Sequence, residues 1–477
     1  MRPEVLRRQG NPSRRRPRPA EPPDPLTVPC DLVVRGRVVL PERVLEDGYV
    51  AVQDGRIAAI GTAAAGLPAA ARIVETGASY VLPGAVDTHV HTRSEPAEGI
   101  THCTEAAVGG GVTTIVDMPY DMPAAVPDVE TFERKIEDVA AEAVCDVALY
   151  GTIRKEGGLD AIEPLARAGA CAFKLSTYES HPVRFPRIPD GEMLEAFRRI
   201  AGTGRLVAVH CENQDIVDRA IARARAAGDT GPMAHGRSRP AVSETEAINR
   251  VLELAYDAGV HVHIVHASVT RSFDLLERYR ADGVRATAET CIQYLVLDEQ
   301  AMERLGPLAK INPPLRSRKD VQGLWAYLAA GRIDQVTSDH APWALGQKSD
   351  RTDIFANASG APGVETLLPL LHHAGVAAGR ISILDAARLL AEQPARNFGL
   401  FPRKGVLAPG SDGDIAILDP DATWTVRGAE LHSGVGWTPY EGMELRGRVT
   451  HTFVRGRPAY EERRVVARPG GGRFVRP

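Results

Sequence analysis

Between residues 85 and 404 the chain repeats one pattern, a short apolar segment followed by an amphipathic helical segment. Helical segments such as GEMLEAFRRIAG and ETEAINRVLELAYDAG space their apolar residues three and four apart and end at glycine. This alternation is typical of parallel strands joined by crossover helices, and eight such units predict a closed (β/α)8 TIM barrel. The eight predicted strands are GAVDTHVH, VTTIVDMP, CDVALYG, ACAFKLS, RLVAVHCEN, HVHIVHAS, VRATAET and IDQVTSD.

The segments on either side of the barrel have a different texture. Residues 31–84 and 405–477 contain alternating or apolar runs broken by Gly and Asp-Gly, as in GYVAVQDGRIAAIG and GSDGDIAIL. We expect the two segments to pair into one small β-sandwich. Residues 1–30 are rich in Arg and Pro without apolar periodicity, which predicts a disordered arm.

Composition excludes several classes of protein. With 44% hydrophobic residues, 25% charged residues and a formal net charge of −4, the chain is predicted to be globular, with no nucleic-acid partner. We interpret the basic arm as a solvated tail, although such arms can also bind nucleic acid or anionic surfaces.

No secretory signal or membrane-length apolar run is recognisable, so a cytoplasmic protein is expected. The six cysteines lack framework spacing and are interpreted as free thiols.

Histidines stand at the ends of three predicted strands. The first strand ends in His89-Val90-His91, and residues two apart on a strand point to the same face, so both imidazoles can reach one metal ion. Because catalytic groups of parallel barrels lie at the carboxyl ends of the strands, His210 and His266 should face the same rim. Each alone is more simply a hydrogen-bonded core residue. The last strand adds the carboxylate of Asp339.

Lys174 is unusual because it lies within the apolar strand ACAFKLS. A buried ammonium is costly and would repel a metal cluster. One resolution is a neutral amine that reacts with carbon dioxide, giving an anionic carbamate that can bridge two metal ions. The alternative is a lysine that extends its charged end to the surface, which suits most lysines but fits poorly beside Phe173.

These residues together predict a two-metal hydrolytic centre. His89, His91 and Asp339 would hold the more buried ion, His210 and His266 the more exposed one, and carbamylated Lys174 both. Such ions lower the pKa of a bridging water and polarise the scissile carbonyl. Asp339 is the predicted catalytic group, taking a proton from the nucleophile and delivering it to the leaving nitrogen.

The chain also resembles the cyclic amidohydrolases of the amidohydrolase superfamily, which include allantoinases, hydantoinases, dihydropyrimidinases and dihydroorotases. The resemblance covers residues 31–475 and implies a zinc-binding barrel with a carbamylated lysine, a small cyclic amide or ureide as substrate, and a homo-oligomer, either dimer or tetramer. It implies the metal ligands His89, His91, Lys174, His210, His266 and Asp339. The motifs that carry it are PGAVDTHVH, GGGVTTIVDMP, AFKLS, VAVHCEN, SRPAVSETEAI, HIVHAS, ETCIQYL, KINPPLRS, TSDHAP, PGVETLLPLL and GSDGDIAIL.

Substrate contacts are predicted from the same resemblance. Arg93 is similar to the arginine with which dihydroorotases hold a carboxylate, whereas Asp121 near the pocket would repel one. Tyr178 resembles the hydantoinase tyrosine that binds the ring carbonyl, and a structural tyrosine is the alternative. The backbone of Cys291, and that of Ser359 and Gly360, is predicted to hold the ureide edge.

Two competing functions remain open at this point. Dihydroorotase is the alternative enzyme, and activity on dihydroorotate that is lost with Arg93→Ala would favour it. A non-catalytic oligomeric homologue is the alternative from another class, but such proteins usually lose metal ligands and this chain keeps all six.

Overall fold

A computed structural model describes residues 29–477. The predicted disordered arm, residues 1–30, therefore lies outside the described residues except for its last two. The strands, in chain order, are β1 (Cys30–Val39), β2 (Val44–Gln53), β3 (Arg56–Thr62), β4 (Ala70–Pro83), β5 (Ala85–Val90), β6 (Val112–Asp117), β7 (Asp146–Gly151), β8 (Ala172–Ser176), β9 (Leu206–His210), β10 (His261–Ile264), β11 (Ala286–Cys291), β12 (Gln335–Thr337), β13 (Ile415–Thr425), β14 (Glu444–Val454), β15 (Arg457–Glu461) and β16 (Arg464–Val465).

Helices occupy most of the connections between barrel strands. Their bounds are α1 (Gly99–Gly109), α2 (Val129–Glu142), α3 (Ile162–Ala168), α4 (Asp190–Thr203), α5 (Gln214–Ala226), α6 (Ala234–Ser238), α7 (Ala241–Ala258), α8 (Thr270–Ala281), α9 (Ile292–Val296), α10 (Gln300–Leu305), α11 (Arg318–Ala329), α12 (Leu367–Leu371), α13 (Ile383–Ala387) and α14 (Gln393–Asn397). No helix of residues 29–477 is long and apolar enough to cross a membrane.

Strands β5 to β12 form the barrel. They lie side by side in chain order and pair in parallel. The ring closes where Val90 bridges His340 and the amide of His91 donates to the carbonyl of His340 at 2.8 Å. Strand β8 is buried along its whole length, as expected for a strand covered on both faces. The predicted fold class, a TIM barrel with a small β-sandwich built from the N- and C-terminal segments, is confirmed, with the second sheet β-sandwich-like.

The companion domain is built from both ends of the chain. Its strand order is β16-β15-β14-β13-β4-β1-β2-β3, so the N-terminal and C-terminal strands form one continuous eight-stranded sheet. The two halves join where β4 pairs antiparallel with β13, with Ile415 opposite Pro83. Valines and isoleucines on one face, including Val34, Val50 and Ile417, form its core.

The helices follow ordinary capping and burial rules. Asp128 caps α2 by accepting a hydrogen bond from the amide of Thr131 at 3.0 Å. The inner face of α2 buries Phe132, Lys135 and Val139 against the barrel. The six cysteines are all buried free thiols, as predicted.

Candidate active site

The carboxyl ends of the barrel strands surround a cavity of about 480 Å³. All six predicted metal ligands line it and all six are buried. Two of them, His266 and Asp339, have positive φ angles of 41° and 44° at the ends of their strands. Such a conformation is strained for residues other than glycine and clusters at functional sites. The strain turns both side chains into the cavity where the strands stop.

One group of ligands consists of His89, His91 and Asp339. Their candidate ligand atoms all lie within 4.8 Å of one another. The carboxylate Oδ1 of Asp339 is 3.1 Å from Nε2 of His89 and 3.7 Å from Nε2 of His91. Burial lowers the pKa of His91 to about 3, which keeps this imidazole neutral and able to donate a lone pair.

The other group consists of His210 and His266. Nδ1 of His210 faces Nε2 of His266 at 2.8 Å. The outer nitrogen of His210, Nε2, is 3.0 Å from Oε2 of Glu212. When the carboxylate of Glu212 accepts a hydrogen bond from the Nε2–H group of His210, the lone pair of the ring is on Nδ1, which points inward.

Lys174 lies on β8 beside these histidines. It is 2% exposed and makes no ion pair within residues 29–477. Burial lowers the pKa of its amine to about 8, which increases the neutral fraction at physiological pH. Its Nζ is 5.7 Å from the ring centroid of Phe185, so the amine faces the cavity and one aromatic wall.

Comparison with known proteins identifies the group to which this arrangement belongs. A family model described as the amidohydrolase family matches residues 80–459. The chain belongs to the amidohydrolase family. The resemblance recognised from the motifs is confirmed.

This amidohydrolase has similar relatives over nearly its whole length. It is 38% identical over 451 residues to the allantoinase of Rubrobacter xylanophilus, covering 94% of this chain and 98% of that protein. It is 33% identical over 450 residues to the L-hydantoinase of Paenarthrobacter aurescens, covering 93% and 98%. The solved structure of the L-hydantoinase (dihydropyrimidinase) from Arthrobacter aurescens matches with a TM-score of 0.91 at 33% identity, covering 94% of this chain and 100% of that one.

Three of the predicted substrate contacts of this amidohydrolase line the cavity, namely Tyr178, Ser359 and Gly360. Burial raises the pKa of Tyr178, so its hydroxyl keeps its proton and can donate it in a hydrogen bond. The backbone of the other two is already engaged. The carbonyl of Ser359 accepts from Trp343 at 2.9 Å, and the amide of Gly360 donates to the carbonyl of Lys310 at 2.9 Å.

The other three, Arg93, Asp121 and Cys291, are not among the residues that line the cavity. The guanidinium of Arg93 turns to α2, where it pairs with Asp138 at 2.5 Å and Glu142 at 3.0 Å.

Asp121 and Cys291 have protein partners of their own. Asp121 is buried against the ammonium of Lys135 at 2.8 Å, so its charge is already compensated. Cys291 is completely buried, with its thiol 3.5 Å from the hydroxyl of Thr337.

Two carboxylates that orient the ligands were missed in the sequence. Glu289, on β11, lies 2.5 Å from Nδ1 of His89, and Glu212 contacts His210 as described above. Both are completely buried, and neither lines the cavity. An acidic residue inside an apolar strand, or two residues after a candidate ligand, was the available signal.

The donor set fits divalent metal ions. It combines neutral imidazole nitrogens and a carboxylate oxygen, which are the ligand types of zinc and of related transition metals. The outer nitrogens of His89 and His210 are held by carboxylates while their inner nitrogens converge on the cavity. A metal-binding centre is therefore consistent with this geometry as well as with the family.

Proposed function

We propose that the protein hydrolyses the carbon–nitrogen bond of a small cyclic amide or ureide, in the manner of allantoinases and hydantoinases or dihydropyrimidinases. The observation that carries this proposal is the convergence of six buried ligand groups on one cavity at the carboxyl end of the barrel. Relatives named allantoinase and L-hydantoinase at 38% and 33% identity support the same reaction.

We further propose two zinc ions and a carbamate on Lys174 as the working centre. His89, His91 and Asp339 would hold one ion, His210 and His266 the other, and carbamylated Lys174 both. When bound, the ions supply an activated hydroxide and polarise the scissile carbonyl. The buried amine of Lys174 has no acidic partner in the described part of the chain, and carbamylation would convert it into an anionic ligand.

The chain's own residues would bind the ring and move the proton. Asp339 would accept a proton from the attacking water and deliver it to the leaving nitrogen. Tyr178 faces the cavity and would donate its hydroxyl proton to the ring carbonyl as negative charge develops there. The aromatic walls formed by Tyr120 and Phe185, whose ring centroids are 5.3 Å apart, would exclude bulk water.

A substrate panel tests this function. Purified, metal-loaded protein should open hydantoin, allantoin or dihydrouracil, with the ring-opened acid detected by chromatography. Selective turnover of dihydroorotate would favour the dihydroorotase alternative, although Arg93 is committed to α2. A folded protein with two bound ions per chain that opens none of these rings would refute the proposal and favour a non-catalytic homologue.

The carbamate and the assembly have their own tests. Protein prepared with carbon-13 bicarbonate should show a carbamate resonance that Lys174→Ala removes, and its absence in active protein would contradict the carbamate.

We also propose a homo-oligomer, dimer or tetramer, as the resemblance implies. Light scattering at several concentrations tests this, and a monomer throughout would contradict it.

A further inference from the structure

The cavity wall away from the metal ligands carries several cationic side chains. Besides Lys174, the cationic residues that line the cavity are Arg184, Arg225, Arg239 and Lys310. A small neutral ring such as hydantoin has no charge that would require such a wall. The question is which of these cations is free to bind a ligand.

Two of the four are already paired with carboxylates, and a third is partly neutral. Arg239 pairs with Glu212 at 2.5 Å, and Arg225 pairs with Asp353 at 2.9 Å. Burial lowers the pKa of Lys310 to about 7, so its amine is partly neutral near physiological pH. These groups therefore add little net positive charge to the cavity.

Arg184 and Lys310 both lack an ion pair within residues 29–477, but Lys310 donates to the carbonyl of Asn357, whereas Arg184 keeps an unsatisfied donor. Its side chain is 7% exposed, and Nη1 is fully enclosed without a hydrogen-bond partner. A buried guanidinium with an unsatisfied donor is unfavourable unless a ligand supplies the missing acceptor and charge. Arginine forms its strongest contacts with carboxylates, because two of its N–H groups match the two oxygens.

The position of Arg184 is fixed by its loop. His181 and Phe185 pair through two backbone hydrogen bonds of 3.2 and 3.1 Å, and Nδ1 of His181 accepts from the amide of Arg184 at 3.1 Å. The guanidinium also lies 4.6 Å from the ring centroid of Tyr120. A preorganised cation of this kind loses little conformational freedom when it binds.

The ring of Tyr120 contacts both Arg184 and a residue of the proposed metal centre. Its ring centroid is 5.9 Å from that of His91, in an edge-to-face arrangement, so one aromatic ring contacts both the metal-binding group and Arg184. A scissile ring seated at the metals would therefore reach Arg184 through a substituent rather than through the ring itself.

We propose that Arg184 binds a carboxylate on the exocyclic substituent of the cyclic substrate, so that the preferred substrate is an acid-bearing cyclic ureide or amide. This inference rests on the proposed function, because it concerns the substrate of the same site.

The test compares two substrates of equal shape, a hydantoin with an acetate arm and the same ring with an acetamide arm. Wild-type protein should favour the acetate arm by about 10- to 100-fold in kcat/KM, the effect expected of a charge-assisted hydrogen bond, mainly through KM. Arg184→Gln should bring this ratio to about one, and Arg184→Lys should retain part of it. Arg187→Gln is the matched control, because Arg187 lies on the same loop outside the cavity lining, 3.8 Å from Asp215, and should preserve the ratio.

Other results would overturn the inference. Turnover of both arms without an acetate preference would refute it and leave the proposed function intact. If Arg184→Gln reduced both arms equally, Arg184 would bind the carboxylate formed by ring opening, or act structurally, instead. If neither ring were opened, the substrate panel described above would decide the proposed function, and calorimetric titration of the acetate-arm hydantoin would still test the site. Weaker binding to Arg184→Gln than to Arg187→Gln supports the inference, and equal binding refutes it.

Discussion

At the scale of single residues, two of the candidate metal-binding imidazoles are oriented by carboxylates that lie behind them. Glu289 contacts Nδ1 of His89 at 2.5 Å and Nε2 of His263 at 3.1 Å, and it also lies 3.2 Å from the amide nitrogen of Gln335. Each contact satisfies a buried polar group and fixes the side chain of His89 with its lone pair inward. Metal affinity is therefore predicted to depend on Glu289, which need not touch the metal.

Replacing Glu289 with glutamine should weaken metal binding while keeping the shape of the side chain. The neutral amide no longer offers a carboxylate acceptor to His89, so affinity should fall about 10- to 100-fold. Competition against a chelator measures this, with Glu277→Gln as the control because Glu277 pairs with Arg332 far from the cavity. Unchanged affinity in folded Glu289→Gln protein would contradict the role assigned to Glu289.

The convergence of the six candidate ligands on one cavity was predictable because strand ends are local features of the sequence, and barrel geometry gathers them at one rim. The ion pairs that Arg93 makes with α2 could not be predicted in this way. Its partner Asp138 is 45 residues away on α2, and only the packed structure shows that carboxylates there face the arginine. The unsatisfied guanidinium of Arg184 is likewise visible only in three dimensions.

At the scale of elements, the segment of residues 357–360, which lines the cavity, is held in place by the buried side chain of Lys348. Nζ of Lys348 donates to the carbonyls of Lys310, Ala358 and Gly360 at 2.8, 3.1 and 2.7 Å. Gly360 has φ of 137°, and a Cβ there would lie 2.5 Å from the carbonyl oxygen of Ala341. The loop therefore needs both the glycine and the lysine to hold its path along the cavity wall.

Lys348→Met should loosen this loop. Three carbonyls would lose their donor, which should lower the free energy of unfolding by about 2–4 kcal/mol and raise KM about tenfold, with a smaller change in kcat. Thermal melting and steady-state kinetics measure both effects. Lys319→Met, on the exposed side of α11, is the matched control. An unaltered KM in folded Lys348→Met protein would contradict the positioning role.

Strands and loops differ in how far their sequence determines them. All eight barrel strands were located, because most are apolar runs whose burial follows from their own residues. The backbone paths of the cavity loops could not be predicted from the sequence, because they depend on contacts such as that between Lys348 and Gly360. The substrate contacts made by these loops therefore depend on the folded structure.

At the scale of the whole molecule, the sheet and the barrel are joined by buried charges. Nζ of Lys404 lies 2.6 Å from carboxylate oxygens of both Asp146, at the start of β7, and Asp414, just before β13. A second link joins His432, in the segment between β13 and β14, to Glu365 near α12, with Nδ1 at 2.9 Å from Oε1. The pairing of the two chain ends was predictable from their β texture. The opposition of Pro83 and Ile415 was not, because it joins residues far apart in sequence.

The His432–Glu365 link predicts a pH-dependent contribution to stability. The hydrogen bond to Glu365 raises the pKa of His432, so the folded state favours the protonated ring. This contribution is fully present below the ordinary histidine pKa of about 6.5 and is lost as pH rises through the folded-state pKa. The melting temperature of wild type should therefore exceed that of His432→Gln by more at about pH 5.5 than at about pH 8.5. An equal difference at both pH values would contradict the link.

The central claim is that this cavity uses divalent metal and Asp339 to open a cyclic amide. The most direct measurement follows ring opening of hydantoin and allantoin by chelator-treated protein before and after zinc is restored, with metal content determined. Wild type should lose activity with its metal and regain it, whereas metal-loaded Asp339→Asn should fall about 10²- to 10⁴-fold in kcat. Full activity without metal, or full activity of Asp339→Asn, would contradict the account.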